Sequence, residues 1–269
     1  MRLINRKAFA GGGGGYILDT YSADFAYGFR QLKTGVTNVA RLIRLSDNAE
    51  SDFTESDFSD GTVTTWIGAS TARLVTFYDQ SGSGFDISPT SGASSTDRIK
   101  VYTVSGDWVA ASEGSNYNAV SAALNGSVDI STFSLFSVAL WSGSSQANER
   151  PYALGTTPDD GAPTFGLAGD ASIRFDNGSL GGSQSITSGS LTQRSSVAAS
   201  GSVDDWISGV SNISSGSLGG RSFTDLFYIG DTRQSGYAGA GIAEAIGFLS
   251  DESANRTAIE SDQATAYGL

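Results

Sequence analysis

The chain has 269 residues, a formal charge of −12, and neither cysteine nor histidine. Its charge sets up a field that repels phosphate backbones and anionic lipid surfaces, so neither nucleic acid nor a membrane is expected as a partner. Without Cys or His there is no disulfide, thiolate nucleophile, Ser-His-Asp triad or His-ligated zinc, and catalysis would have to rest on carboxylates, Tyr, Lys or a borrowed cofactor.

The 14 Phe, 10 Tyr and 4 Trp supply bulky core material, and the 35 Gly supply turns, which together point to β structure. A single all-β domain accommodates this length. The head, Met1 to Ala10, mixes Leu3, Ile4 and Phe9 with Arg2, Arg6 and Lys7, and Gly11 to Gly15 follow as a flexible tether. Two readings fit it: a frayed terminus, or a peptide in which Leu3, Ile4, Arg6 and Phe9 anchor the chain to another subunit. The head lacks the apolar run of a secretory signal, and no segment approaches the ~18 apolar residues of a membrane span. Residues 1–15 are thus read as an anchoring peptide with its tether, and residues 16–269 as one domain.

Between Asp19 and Lys33 the residues Tyr21, Phe25, Phe29 and Leu32 recur at three and four, which predicts a short amphipathic helix. The runs 38–46 and 72–80 alternate as strands, and the acidic stretch between them (Asp47, Glu50, Asp52, Glu55, Asp57, Asp60) reads as a solvated loop. In the corner "YDQSGSGFD" that ends the second strand, Asp79, Ser81 and Ser83 at alternate positions, Gly84 sixth and the Phe85 carbonyl weakly imitate a calcium loop, with Asp79 and Asp86 the candidate ligands, but Thr90 stands where the bidentate Glu is needed. An Asx turn accounts for Asp79 better, so neither a metal nor any other cofactor is expected. Beyond Pro89 short apolar segments alternate with Gly, Ser and Asp, the spacing of a sandwich or barrel. A closing helix is predicted from Ser250 as N-cap to Gly268. Trp66, Trp108, Tyr117 and Tyr237 are candidate aromatic plates for a sugar, with core packing the alternative for each.

Several of these pieces resemble known families. The segments "STFSLFSVALW", "TFGLAGDASIRFDNG", "SSVAASGSVDDWISGV" and the closing "FYIGDTRQSGYAGAGIAEAIGFLSDESANRTAIESDQATAYGL" are similar to the laminin-G-like, or concanavalin A-like, jelly roll. That resemblance implies an antiparallel all-β jelly-roll sandwich with a short N-terminal helix and a C-terminal helix. "LDTYSADFAYGFRQLKTG", "RLIRLSDNAESDF" and "LVTFYDQSGSGFDI" resemble a module that precedes the jelly roll in bacteriophage structural proteins, and also the opening of the catalytic domain of family 54 α-L-arabinofuranosidases. In the latter family the acid is an Asp after a Gly in a late strand, which carries over to Asp231 in "YIGDT". No nucleophilic Glu is found in the matching mid-domain segment, which offers Asp170 and Asp176, and the family's vicinal disulfide is absent. The expectation is therefore a non-enzymatic virion protein of capsid or tail surface, a homo-oligomer held to other virion proteins by its N-terminal peptide and binding a host glycan. The alternative is a glycoside hydrolase acting on envelope polysaccharide.

Overall fold

The computed structural model describes residues 15–89, 96, 98–111, 119–121, 127–129, 132–141, 149–155, 164–167, 173–175, 178–181, 186–187, 189–217, 222–224, 226–232 and 240–269. The chain opens with a one-turn helix, α1 (Ile17–Thr20), followed by strands β1 (Phe25–Gly28), β2 (Ala40–Arg44) and β3 (Ala49–Phe53). Two short helices, α2 (Glu55–Ser59) and α3 (Thr62–Ile67), lead into β4 (Ala72–Phe77), β5 (Ile87–Pro89) and the hairpin β6 (Lys100–Val104) and β7 (Asp107–Ala111). The middle of the chain gives β8 (Ala119–Ser121), β9 (Ser127–Asp129), β10 (Phe133–Leu140), β11 (Glu149–Gly155), β12 (Thr164–Leu167), β13 (Ile173–Phe175) and β14 (Gly178–Gly181). The last third gives β15 (Leu191–Ala199), β16 (Ser202–Ile207), β17 (Val210–Ser217), β18 (Ser222–Thr224), β19 (Leu226–Thr232), β20 (Gly241–Phe248) and helix α4 (Arg256–Tyr267).

All pairings are antiparallel, as the expected sandwich requires. One layer runs β17, β16, β15, β10, β20, β1. The other runs β14, β13, β12, β11, β19, β8, β5, β4, β2, β3, and the β6–β7 hairpin joins the two by pairing with β4 and β20. Phe25 of β1 and Phe227 of β19 meet at 5.0 Å between ring centroids, and Tyr152 of β11 stacks on Phe227 at 5.8 Å, so the layers face each other across an aromatic core. That core gathers Tyr27, Phe77, Leu74, Leu135 and Ile242. A second core, Phe136, Val197, Ile246 and Phe248 with Leu18 and Ile259, lies on the other face of the first layer, under α1 and α4.

The N-terminal helix forms, but only over Ile17–Thr20; the predicted stretch from Asp19 to Lys33 is mostly strand and loop. β1 is buried on both faces, with Phe25 and Tyr27 inward and Ala26 against the second core, and Tyr21, Phe29 and Leu32 pack from the turns beside it, so the three-four spacing comes from a strand and its flanks and not from one helix face. Opposite Phe25 in the register stands Gly247, and any Cβ there would fall inside the Phe25 ring.

The acidic stretch also differs from the predicted loop. It holds β3 and two helices, because Thr54 and Asp57 form a reciprocal capping box at the start of α2 and Asp52 pairs across the ladder with Arg41. At the far end α4 starts at Arg256, later than Ser250. Ser250 is instead used to accept Ser134 Oγ on its carbonyl and to bond Glu252. The helix stops at Gly268 in the left-handed region, φ 67°, as predicted. Among the described residues no helix is long and apolar enough to cross a membrane.

Candidate functional site on the inner face

Period-two alternation directs Phe133, Leu135, Ser137 and Ala139 of β10 to the inner face, and does the same for Arg194, Ser196 and Ala198 of β15 and for Val203, Asp205 and Ile207 of β16. A polar seam thereby enters an apolar layer. Arg194 and Asp205, both with 0% side-chain exposure, form a two-pronged pair: Nε to Oδ1 and Nη2 to Oδ2, each 3.0 Å. Ser196 Oγ donates to Asp205 Oδ1 at 2.8 Å and Asn212 Nδ2 to Oδ2 at 2.7 Å, so four donors occupy the carboxylate. Across the sandwich, Ser137 Oγ lies 3.0 Å from Tyr152 Oη. Burial pushes the Tyr152 hydroxyl well above the usual phenol range, and the positive charge of Arg194 opposes this only in part.

Charged groups survive in such an interior only when paired and hydrogen-bonded. Asp205 meets that condition fully and has no lone pair left for a substrate or metal, so it positions Arg194 and is not itself a reacting group. Tyr152 connects the seam to β19, because its register partner there is Ile229, and Asp231 follows two residues along the same strand, opposite Arg150. Sequence reading passed over this seam. The signal was present in the alternation, which puts Arg194 and Asp205 on the same faces as Ala198 and Val203.

The other candidates are placed as follows. Asp79 accepts from the backbone N–H of Ala26, Ser81 and Phe85 and from Ser81 Oγ, while its own N–H donates to Asp86. Its neighbour Gln80 is buried, bonding Leu32 N, Gly28 O and Arg30 O. The corner is therefore a clasp that fastens β1 and the loop after it to β4, and the Asp79 carboxylate is spent on that task, against the calcium candidacy. No group of three or more His, Cys, Asp or Glu suited to a metal occurs among the described residues.

Trp108 is 7% exposed, its indole N–H donates to the Phe58 carbonyl at 3.0 Å, and Phe58 packs edge-on against it. The expectation of an exposed sugar plate at Trp108 is thus corrected: this ring has no open face. Trp66 is half-buried, with Phe53 against it and the Arg44 guanidinium 4.9 Å from its centroid. Trp206 points to the outer face and stacks under Arg256 at 4.2 Å. Tyr117, Tyr237 and the anchoring residues Leu3, Ile4, Arg6 and Phe9 lie outside the described residues, as does the side chain of Asp231.

No protein-family model matches the chain, and no curated protein matches it by sequence. Solved structures do match. A point mutant of a glycoside hydrolase family 54 α-L-arabinofuranosidase soaked with 4-nitrophenyl α-L-arabinofuranoside aligns with a TM-score of 0.61 at 13% identity, over 91% of this chain and 63% of that one. An arabinofuranosidase complexed with arabinofuranosyl-α-1,2-xylobiose aligns at 0.58 and 12% identity, with the same coverage. Domain 4 of AbnA, an extracellular family 43 arabinanase from Geobacillus stearothermophilus, in complex with arabinotriose, aligns at 0.50 and 14% identity, over 70% of this chain and 91% of that domain.

The chain thus has a β-sandwich fold shared with carbohydrate-active enzymes and spans 63% of the length of the arabinofuranosidases it matches. At these identities the likeness defines the fold. The expectation of a non-enzyme is corrected on this finding: three arabinofuranosidase structures align over 91% of the chain.

Proposed function

We propose that the chain is a carbohydrate-active protein that binds and cleaves arabinose-containing polysaccharide. The observation that carries this reading is the fold, shared with α-L-arabinofuranosidases over nine tenths of the chain. The inner-face seam supports it by supplying a buried, hydrogen-bonded polar framework beside β19, the strand that carries Asp231.

In this reading Asp231 protonates the leaving glycosidic oxygen as a second carboxylate attacks the anomeric carbon, and Asp231 then takes a proton from the water that hydrolyses the glycosyl-enzyme ester, the division of labour of retaining glycosidases. Asp205 is unsuited to the second role because its acceptors are filled. Asp170 and Asp176 are the remaining candidates from the segment that the resemblance singles out. The test is release of nitrophenol from 4-nitrophenyl α-L-arabinofuranoside by the full chain and by Asp231→Asn, Asp170→Asn and Asp176→Asn. Activity that falls at least 100-fold in Asp231→Asn and in one of the other two supports the mechanism. No turnover of this substrate or of arabinan by the unaltered chain sinks it.

Location on a virion, attachment through residues 1–10 and a homo-oligomeric state belong to the same proposal and rest on the sequence of the head. Such a tether would give an enzyme carried on a particle reach to its substrate. Deleting residues 2–15 and measuring attachment to particles lacking the protein tests it, with undiminished attachment counting against it.

A further inference from the structure

The acidic stretch read as solvated loop accounts for nearly all its carboxylates inside the fold. Asp47 pairs with Arg44, Asp52 with Arg41 and Tyr78, Asp57 with Thr54, Asp60 with the Thr62 N–H, and Glu50 with Arg98. Glu55 is the exception: half-buried, it has no hydrogen bond or ion pair to any described residue. It sits at the β3–α2 junction, on the wall of a cleft of about 310 Å3 whose other walls include Gln31, Val36, Thr37, Val39 and Ser56. This volume lies at the lower end of the range of small-molecule sites.

The chemistry of the lining narrows the occupant. The Gln31 amide nitrogen is committed to the Lys33 carbonyl at 2.8 Å, which leaves its oxygen as an acceptor. Glu55 adds two more acceptor oxygens, Thr37 and Ser56 bring hydroxyls that donate or accept, and among the described residues no Lys or Arg lines the cleft. Val36 and Val39 supply an apolar wall. A matching ligand carries several O–H donors, one apolar face and no negative charge, the description of a neutral sugar ring with its hydroxyl edge and C–H face. A small ammonium ion would use the carboxylate and the hydroxyl oxygens but leave the valine wall unmatched.

We propose that this cleft is a saccharide-binding subsite separate from the inner face, taking one neutral sugar residue whose hydroxyls donate to Glu55 and Gln31. The inference rests on the carbohydrate reading above and adds to it a place where the polysaccharide is held outside the reacting centre.

The experiment is an amide-resolved NMR titration of the full chain with methyl α-L-arabinofuranoside, with methyl β-D-xylopyranoside and, separately, with methylammonium chloride. Nitrophenyl arabinofuranoside hydrolysis is measured on the same samples. One of the glycosides is expected to shift amides of residues 31–39 and 54–57 saturably. Affinity should fall about tenfold in Glu55→Gln, since hydrogen bonds to a charged acceptor are the stronger kind. It should vanish in Val36→Trp, which fills the cleft, with the remaining spectrum unchanged. Sugar shifts confined to other residues, affinity indifferent to both variants, or shifts by methylammonium alone overturn the subsite. Hydrolysis with a silent cleft removes the subsite and leaves the activity standing; cleft binding without hydrolysis does the reverse.

Discussion

Individual carboxylates in this chain do different work according to the donors that reach them. Asp205 is held by Arg194, Ser196 and Asn212 in a fully buried setting, and deleting it strands the guanidinium without its counter-charge. Asp205→Ala should therefore cost about 3–5 kcal/mol of stability, the penalty for breaking a buried pair from one side, as read by denaturant unfolding. A loss below 1 kcal/mol would show that the pair is solvated. Asp52 illustrates the half-exposed case. The Arg41 guanidinium and then the Tyr78 hydroxyl hold its carboxyl below the usual range, while desolvation and the bond to Asp52 push Tyr78 from 10.0 up to about 12.

The two shifts act at opposite ends of the pH scale. With its pKa lowered on folding, Asp52 contributes stability that is complete above the unfolded carboxylate's value of about 4 and fades as pH falls through the folded value. With its pKa raised, Tyr78 contributes stability that is complete below 10.0 and is lost as pH rises past about 12. A phenolate absorbance titration should show one tyrosine ionising near pH 12 that moves back toward 10.0 in Asp52→Asn. An unchanged titration curve in that variant would break the link between the two residues.

At the scale of elements, legibility depended on whether the local pattern carried the whole cause. β2, β4, β10, β15 and β20 were legible because their alternation or continuous apolar runs are set by burial. β1 was not, because a strand buried on both faces has no period, and its identity is fixed by pairing with β20, more than 200 positions away. α2 and α3 were missed although the Thr54-x-x-Asp57 capping signal was in the sequence, since the density of acidic residues suggested solvent.

α4 shows a related limit. Apart from Ile259, its buried positions are polar: Glu260 accepts from Ser195, and Gln263 donates to Glu244, which the Arg30 guanidinium also holds at 2.5 Å. The helix could be read from its alanines, its end from Gly268, and nothing in its weak amphipathicity told which face meets the sheet. The site divides in the same way. Asp231 was named through resemblance to a motif, whereas the seam of Ser137, Tyr152, Arg194 and Asp205 comes from four strands and exists only once the layers are stacked.

For the molecule as a whole, the sandwich closes late. β1 at residues 25–28 finds its ladder partner only in β20 at 241–248, and β10 needs β20 on one edge and β15 on the other. The Asp79–Gln80 corner then fastens the loop after β1 to β4, so the N-terminal third is pinned to a sheet that the C-terminal third completes. Long-range antiparallel pairing requires loop-closure entropy to be lost before any contact returns it, which makes such folds slow and strongly cooperative. A chain ending at residue 232 retains most strands yet leaves β1 and β10 with an open edge and the core residues Ile242, Ala245 and Ile246 missing. Such a truncation is expected to be protease-sensitive along its entire length. A chain ending at residue 249, which restores β20 but lacks α4, should regain protection of the inner core while leaving the outer face under Phe136 and Val197 exposed. Pulse proteolysis of the two truncations beside the full chain makes the comparison. Protection of the shorter chain would mean that the strands before β20 form a self-sufficient unit and that the sandwich does not close late.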